Sequence, residues 1–216
     1  MFSYYGSKSK IVGKYPGPKF NQIIEPFAGS AQYSFKYWDR DVWINELHQP
    51  VYELWQWLVQ DAKPIDFLKL PVFQPKERID MEPGPQRTLV AFESNRGTET
   101  PRNVAGKFNR WIKAGRQRMA DNIYKVKHWK VTQLDYCDLP DVDATWFIDP
   151  PYQFGGHEYT IGGKGFDYAA CRQFCETRRG QVIVCENTKA DWMDFRPLVD
   201  IYGQRFHTTE AIWENR

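Results

Sequence analysis

Thr145-Trp146-Phe147-Ile148-Asp149-Pro150-Pro151-Tyr152 decides how the rest of the chain is read. Thr145 to Ile148 are β-branched or aromatic and make a short buried strand, which runs directly into an acid, two prolines and a ring. The prolines fix φ and remove two backbone donors, so the carbonyls around them are free to accept from a ligand. Asp149 stands where the strand ends, and open α/β sheets bind ligands outside the carboxyl ends of their strands. Two acceptors beside a stacking ring suit a planar base with an exocyclic amino group. Alone, the stretch reads equally well as a strand and a Pro-Pro turn with Tyr152 as packing, so its weight depends on what lies upstream.

Upstream, Phe20 to Ile24 form a strand that enters Glu25-Pro26-Phe27-Ala28-Gly29-Ser30-Ala31, and Gln32 to Trp38 continue as a helix. Small residues at 28 to 31 let the backbone approach a ligand closely, and strand, tight turn and helix N-terminus together make a nucleotide-type cradle. A second strand, Val42 to Asn45, is followed by Glu46 and a helix to about Gln60. An acid at that point is placed to accept from ribose hydroxyls, or else to cap the helix that begins near His48. The segment Tyr4-Tyr5-Gly6-Ser7-Lys8 lacks the glycines of a P-loop, yet Lys8 can meet an anion as a point charge. Its plainer reading is a polar turn.

From Asp61 to Pro101 six prolines interrupt the pattern and no period survives, which reads as an irregular insertion. Asn103 to Tyr124 then carries Val104, Phe108, Trp111, Ile112, Gly115, Met119 and Ile123 at helical spacing. Net charge over the chain is only +2, but Arg96 to Lys130 holds ten basic residues against Glu99 and Asp121. Such an excess favours a phosphate-facing surface over a merely solvated helix face. Lys107, Arg110, Arg116 and Arg118 are the candidate DNA contacts.

Lys130 to Leu134 is a further strand, ending at Asp135-Tyr136, an acid and a ring suited to an adenine or to an ordinary strand end. After Tyr152, glycines at 155, 156, 162, 163 and 165 mark a loop that either closes over substrate or merely connects. Asp167 caps a helix to about Arg178, with Gly180 as its stop. Gln181 to Cys185 is a buried strand reaching Glu186-Asn187, and the tail forms an antiparallel hairpin about a turn at Tyr202-Gly203.

At 216 residues, 42% hydrophobic and 26% charged, the chain fits one globular core with an insertion. Nine Trp and twelve Tyr provide either a Trp-rich core or surfaces for stacking bases. No apolar run of about 18 residues and no basic-then-apolar N-terminus is present, so the expectation is a cytoplasmic protein without membrane span or signal peptide. Cys137, Cys171, Cys175 and Cys185 form no C-x-x-C pair, which predicts reduced, buried thiols and no metal site. His157-Glu158 lacks the second His of a zinc-protease helix.

The order of these segments resembles the Dam-like DNA adenine-N6 methyltransferases, in the arrangement of their alpha group. The likeness rests on Tyr4-Tyr5-Gly6-Ser7-Lys8 for an aromatic-x-Gly-x-Lys segment, Pro26-Phe27-Ala28-Gly29-Ser30-Ala31 for a Pro-Phe-x-Gly-x-Gly turn, Glu46 after the second strand, and Asp-Pro-Pro-Tyr at 149 to 152. Glu186-Asn187 falls where the family often has Ser-Asn. Most of the chain outside roughly 61 to 130 is covered. Ala31 stands in place of a glycine, and Glu46 is one methylene longer than the usual aspartate.

The resemblance implies an α/β fold: a doubly wound, mostly parallel Rossmann-like sheet with a C-terminal antiparallel hairpin and a small, mainly helical insertion. Residues 1–60 and 131–216 would form the catalytic domain, and 61–130 the target-recognition region. It implies S-adenosyl-L-methionine as cofactor, held by Tyr4, Lys8, Glu25, Phe27, Ala28, Gly29, Ser30, Glu46, Asp135, Tyr136 and Asp149. Asp149, Pro150, Pro151 and Tyr152 would carry the transfer to adenine N6 in double-stranded DNA, with RNA the second choice of nucleic acid. A monomer or weak dimer, with no metal and no membrane, would suffice. Cytosine N4 poses the same chemical problem as adenine N6, and a non-catalytic DNA-binding relative is the alternative of a different class.

Overall fold

In the computed structural model of the chain, the apolar runs assemble into one mixed sheet. The structure describes every residue except Arg96, Phe108, Arg110, 156–164, 203–206 and Arg216, and of Ile112 and Lys113 the backbone alone. Strands β1 (Gln22–Glu25), β2 (Asp41–Asn45), β3 (Lys130–Thr132), β4 (Ala144–Ile148) and β5 (Gly180–Asn187) are parallel. Beside β5 lies an antiparallel hairpin of β6 (Arg196–Tyr202) and β7 (His207–Glu214). The spatial order is β3-β2-β1-β4-β5-β7-β6. The chain thus steps outward from β1 to β3 and returns to lay β4 against β1. At that reversal the connections leave in opposite directions, and the carboxyl ends of β1 and β4 open a crevice.

Successive strand residues alternate between two cores, as the pleat requires. Ile23, Val42, Ile44, Phe147 and Ile183 enter one, while Ile24, Trp43, Trp146, Ile148, Val182 and Val184 enter the other. Parallel strands buried on both faces read as unbroken apolar runs, which is why β4 and β5 were so visible in the sequence. The first face is covered by Tyr33 of α1 (Gln32–Lys36) and by Val51, Leu54, Trp55 and Leu58 of α2 (Gln49–Gln60). That spacing of three and four residues puts a single stripe on the sheet. Burying each such Leu or Val stabilises by about 1.5–3 kcal/mol.

The insertion is more regular than its prolines suggest. Pro64 and Pro85 each sit in the first turn of a helix, α3 (Pro64–Lys69) and α4 (Pro85–Ser94), where a missing N–H costs nothing. Residues Thr88 to Ser94 are all buried, so α4 has no polar side over that stretch and no readable period. The helix expected from Asn103 starts later. Val104 is exposed and pairs with Arg78 in an isolated antiparallel bridge. A π-helical turn, Trp111–Gly115, leads into α5 (Arg116–Asn122) and a 3-10 turn at Ile123–Val126. Trp111, Met119 and Ile123 are buried as their spacing predicts, and Leu89, Phe92 and Trp111 share one core with the β1 and β2 residues.

On the opposite face, α6 (Tyr168–Thr177) presents Cys171, Phe174 and Cys175, and Asp167 Oδ1 caps it by accepting from Ala170 N. Its end comes at Thr177, earlier than the expected stop at Gly180, which instead opens β5. The hairpin turn at Gly203 and most of the glycine-rich loop, including His157-Glu158, lie outside the described residues. All four cysteines are free, but Cys137 is exposed rather than buried. Among the described residues no helix is long and apolar enough to cross a membrane, and no group of three or more potential ligands could hold a metal ion.

Gly180 begins β5 at φ +94°, and a Cβ there would stand 2.2 Å from Ala144 O. Gly180→Ala forces β4 and β5 apart where they first pair, so the expected loss is about 2–4 kcal/mol. Urea unfolding of the variant measures it, and an unchanged midpoint would contradict this packing.

Candidate active site

The turn after β1 is built by its neighbours. Ala28 N donates to Asn45 O at 3.0 Å, and Trp55 Nε1 donates to Gly29 O at 2.8 Å. Gly29 lies at φ +48°, and a Cβ on it would come within 3.0 Å of the Tyr4 ring. Both conditions call for glycine. Ala31, at φ +44°, takes the left-handed conformation that a glycine would adopt freely, at a cost of about 1 kcal/mol. Its N–H donates to Ala28 O at 2.7 Å and its carbonyl accepts from Phe35 N. These bonds close the cradle.

Two acids brace this turn. Glu25, the last residue of β1, accepts from Ser34 N at 2.7 Å and is buried, which pushes its carboxyl up to about 8. Glu46 accepts from Gly29 N at 2.8 Å and from His48 N at 2.9 Å. It therefore supports the cradle and fixes the backbone just before α2, and burial raises its carboxyl too. Both acids line a cavity of about 580 Å³, well within the roughly 300–1,000 Å³ of small-molecule sites.

Aromatic rings form one wall of that cavity. Phe27 lies 5.0 Å from Tyr136 and 5.8 Å from Phe166, centroid to centroid, and Tyr136 packs on Phe174 behind. Asp135, also on the wall, is exposed and caps a short 3-10 turn through Cys137 N at 2.9 Å. Leu47 and Leu134, 45% and 38% exposed, add apolar surface to the lining. Acids at the β1 and β2 ends and an apolar aromatic wall at the β3 end suit a molecule that is polar at one end and aromatic at the other.

The turn after β4 is held from several sides. Lys8 Nζ pairs with Asp149 Oδ1 at 3.0 Å and lies 4.5 Å from the centre of the Tyr152 ring. Tyr168 donates to Pro151 O at 3.0 Å. Gln153 N and Asn187 N donate to Glu186, and Asn187 Nδ2 donates to Phe154 O at 2.8 Å. Tyr152 donates its hydroxyl to Glu210 of β7, which also accepts from Tyr15 at 2.6 Å. Burial outweighs the Lys8 charge at Asp149 and pushes its carboxyl up to about 6. Glu186 is pushed to about 7, again mainly by burial.

The structure thus gathers Tyr4, Lys8, Glu25, Phe27, Ala28, Gly29, Ser30, Glu46, Asp135, Tyr136, Asp149 and Pro151 around one cavity. Pro150 is buried and Tyr152 half-buried behind it. The basic residues of the insertion fare differently. Lys107 is exposed, whereas Arg116 donates to Leu68 O at 3.3 Å. Arg118 pairs at 2.6 Å with Glu93, whose side chain is fully buried and also accepts from Ser3 N. Its charge neutralises an internal acid, an occupation that a count of basic residues does not reveal. Arg110 lies outside the described residues. Sequence reasoning missed Glu210, Tyr15 and Tyr168. An acid followed by Ala211 and Ile212 in a β-branched run was the available signal, since a charge there needs a partner.

Glu25→Gln keeps the acceptor for Ser34 N and removes the buried charge. The folded carboxyl sits near 8, above its ordinary 4.5, so its ionisation weakens the fold fully above pH 8 and less as pH falls toward 4.5. The variant should melt several degrees above the parent at pH 9, with the gap closing toward pH 5. Thermal unfolding of the free protein across that range tests it, and a gap that is constant with pH contradicts the assignment.

No known protein family matches the chain by its model, and no curated protein matches it. Among solved structures it is similar to one named "Putative methyltransferase yhhF from Escherichia coli", with 9% sequence identity and a TM-score of 0.35 over 95% of this chain and 78% of that one. A likeness at this level says nothing of substrate or cofactor.

Proposed function

We propose that the chain is an S-adenosyl-L-methionine-dependent methyltransferase acting on the N6 amino group of an adenine flipped out of double-stranded DNA. The observation that carries this reading is Asp149, held by Lys8 at the inner end of a cofactor-sized crevice, on a Pro-Pro turn clamped from neighbouring elements. The residues present fit the cofactor. Glu25, buried and driven up to about 8, is an acid in want of a cation, and an ammonium group beside it would restore its ionisation. Gly29 and Glu46 line the crevice together, with Glu46 placed for ribose hydroxyls, and Phe27 and Tyr136 form an apolar wall for a purine.

When bound, the cofactor supplies a methyl group made electrophilic by its sulfonium. The chain's task is to prepare the amino nitrogen, whose lone pair is delocalised into the base. Asp149 and the Pro150 carbonyl accept the two N–H bonds, which draws the lone pair out of the ring plane. As the new N–C bond forms, one N–H proton leaves through the carboxylate that already accepts it. Holding nitrogen and methyl in line lets positioning contribute up to about 7–11 kcal/mol. Extruding the base costs a few kcal/mol. The basic excess of 96–130 supports a polyanionic substrate, with Lys107 available to a phosphate backbone.

Incubation with unmethylated double-stranded DNA and S-adenosylmethionine, followed by mass spectrometry of the nucleosides, should yield N6-methyladenine. N4-methylcytosine would keep the mechanism and change the substrate, and product from RNA alone would remove DNA from the reading. Asp149→Asn should lower kcat by about 10²-fold or more, since the amide is a poorer acceptor than the carboxylate. Because the carboxyl titrates near 6 and works ionised, kcat/KM should fall as pH drops below about 6. Cofactor occupancy has a separate readout. Cys137 lines the cavity and is the exposed thiol, whereas Cys171, Cys175 and Cys185 are buried. S-adenosylhomocysteine should slow alkylation of Cys137, measured by peptide mass spectrometry at pH 8.5. Unaltered labelling would contradict cofactor binding in this cavity.

A further inference from the structure

Glu210 is a buried acid on the C-terminal hairpin, far in sequence from the turn it touches. It sits on β7 opposite Asn187 of β5, 3% exposed. One of its oxygens accepts from Tyr152 and from Tyr15 and lies 3.7 Å from Lys8 Nζ. That ammonium is 3.0 Å from Asp149 and 4.5 Å from the Tyr152 ring centre. Two carboxylates from different strands therefore share one cation, and the phenol between them is tied to the more deeply buried acid.

We propose that Glu210 is a positioning residue for the transfer site: it fixes Tyr152 through its hydroxyl and shares Lys8 with Asp149, so that ring and acceptor are aligned before substrate arrives. The proposal rests on the methyl-transfer reading above. Three features argue for more than packing. An apolar residue would fill the same space without burying a charge, and burying one is costly unless it is bonded. The two hydroxyls that bond it come from distant segments, Tyr15 near the N-terminus and Tyr152 on the catalytic turn, so the hydroxyl end of the Tyr152 ring cannot swing away without breaking a bond. Finally, Lys8 cannot follow Asp149 alone, because the second acid draws it back over the ring.

The coupling acts on Asp149 in opposite senses. Glu210, as a like charge, makes ionisation of Asp149 harder, while Lys8 makes it easier, and burial exceeds both. Lys8, Glu210, Tyr152, Tyr15, Cys185, Glu25 and Glu186 are the titratable or charged groups that face Asp149 from the surrounding elements. Of these, Glu210 bonds the Tyr152 hydroxyl and also lies 3.7 Å from the cation paired with Asp149.

Two variants separate hydrogen bonding from charge. Glu210→Gln retains an acceptor for both hydroxyls and removes the charge. The Asp149 titration, followed by carbon-13 NMR of labelled aspartate in the free protein, should then move to lower pH. Glu210→Ala removes the acceptor as well and should lower kcat by about 10–100-fold with the KM for S-adenosylmethionine unchanged, the scale of loss from small misplacement. Adding Tyr152→Phe to Glu210→Ala should cost little more, because the bond is already gone. An unmoved Asp149 titration in Glu210→Gln, or an unmoved kcat in Glu210→Ala, overturns the proposal. Should Glu210→Ala fail to fold, kcat of Glu210→Gln carries the kinetic arm, with a loss expected and an unchanged value overturning. Failure of the methyl-transfer reading looks different: the parent protein makes no methylated product from DNA or RNA, while the titration still decides whether Glu210 acts on Asp149.

Discussion

Acids buried at the carboxyl edge of the sheet are the constraint that the surrounding structure has to meet. Glu25, Glu46, Glu186 and Glu210 are all buried, Asp149 beside them is half-buried, and Lys8 pairs with Asp149 and Glu210. A carboxylate withdrawn from water must be bonded or protonated. Here each acid is bonded: Glu25, Glu46 and Glu186 by backbone N–H groups, Asp149 by Lys8, and Glu210 by two tyrosine hydroxyls. Glu46 at the end of β2 takes Gly29 N from the turn after β1, and Glu186 on β5 takes Gln153 N from the turn after β4. Glu210 on β7 takes the hydroxyl of Tyr152 from that same turn. In these three cases an acid on one strand, or just past its end, holds the loop that leaves the strand beside it or one further on.

That arrangement explains how the crevice keeps its shape although it is made of loops. Loops are ordinarily the least constrained parts of a fold, and sites on them are correspondingly imprecise. Bonds from Glu46, Glu186 and Glu210 tie these turns to the sheet. Burial works against these bonds and holds Glu25, Asp149 and Glu186 near 8, 6 and 7, so the crevice contains carboxyls short of countercharge. A cationic ligand entering this space relieves the strain of burial. Rigidity and charge preference thus arise from one feature.

How far the sequence reveals this depends on the range of the interaction. β4 and β5 are legible because double-sided burial writes itself as a run of apolar residues, and the Asp149 turn because its prolines leave few alternatives. The residues of the cavity lining were implied by the resemblance, and Glu25, Glu46, Asp135 and Asp149 among them stand at strand ends. Glu210 was illegible for a definite reason. Its partners Tyr15 and Tyr152 are 195 and 58 residues away, and they become neighbours only when the hairpin lays β7 against β5. Arg118 misled in the opposite direction, since a basic residue in a basic stretch reads as surface until Glu93 is found beneath it.

The insertion shows why composition alone misreads such regions. Pro64 and Pro85 looked like interruptions, yet a proline in the first helical turn begins a helix as readily as an interior one breaks it. α4 was invisible to periodicity because Thr88 to Ser94 are wholly enclosed, and a helix without a wet face has no alternation to detect. Its burial also joins the insertion to the crevice. Glu93 at the end of α4 accepts from Ser3 N, and Tyr5 N donates to Thr98 O, so the N-terminal segment is held between insertion and sheet. Lys8 reaches Asp149 from that segment. The packing of the insertion therefore helps place the cation on which the arrangement at Asp149 depends, and a change in the insertion has a physical route to the site without touching a ligand.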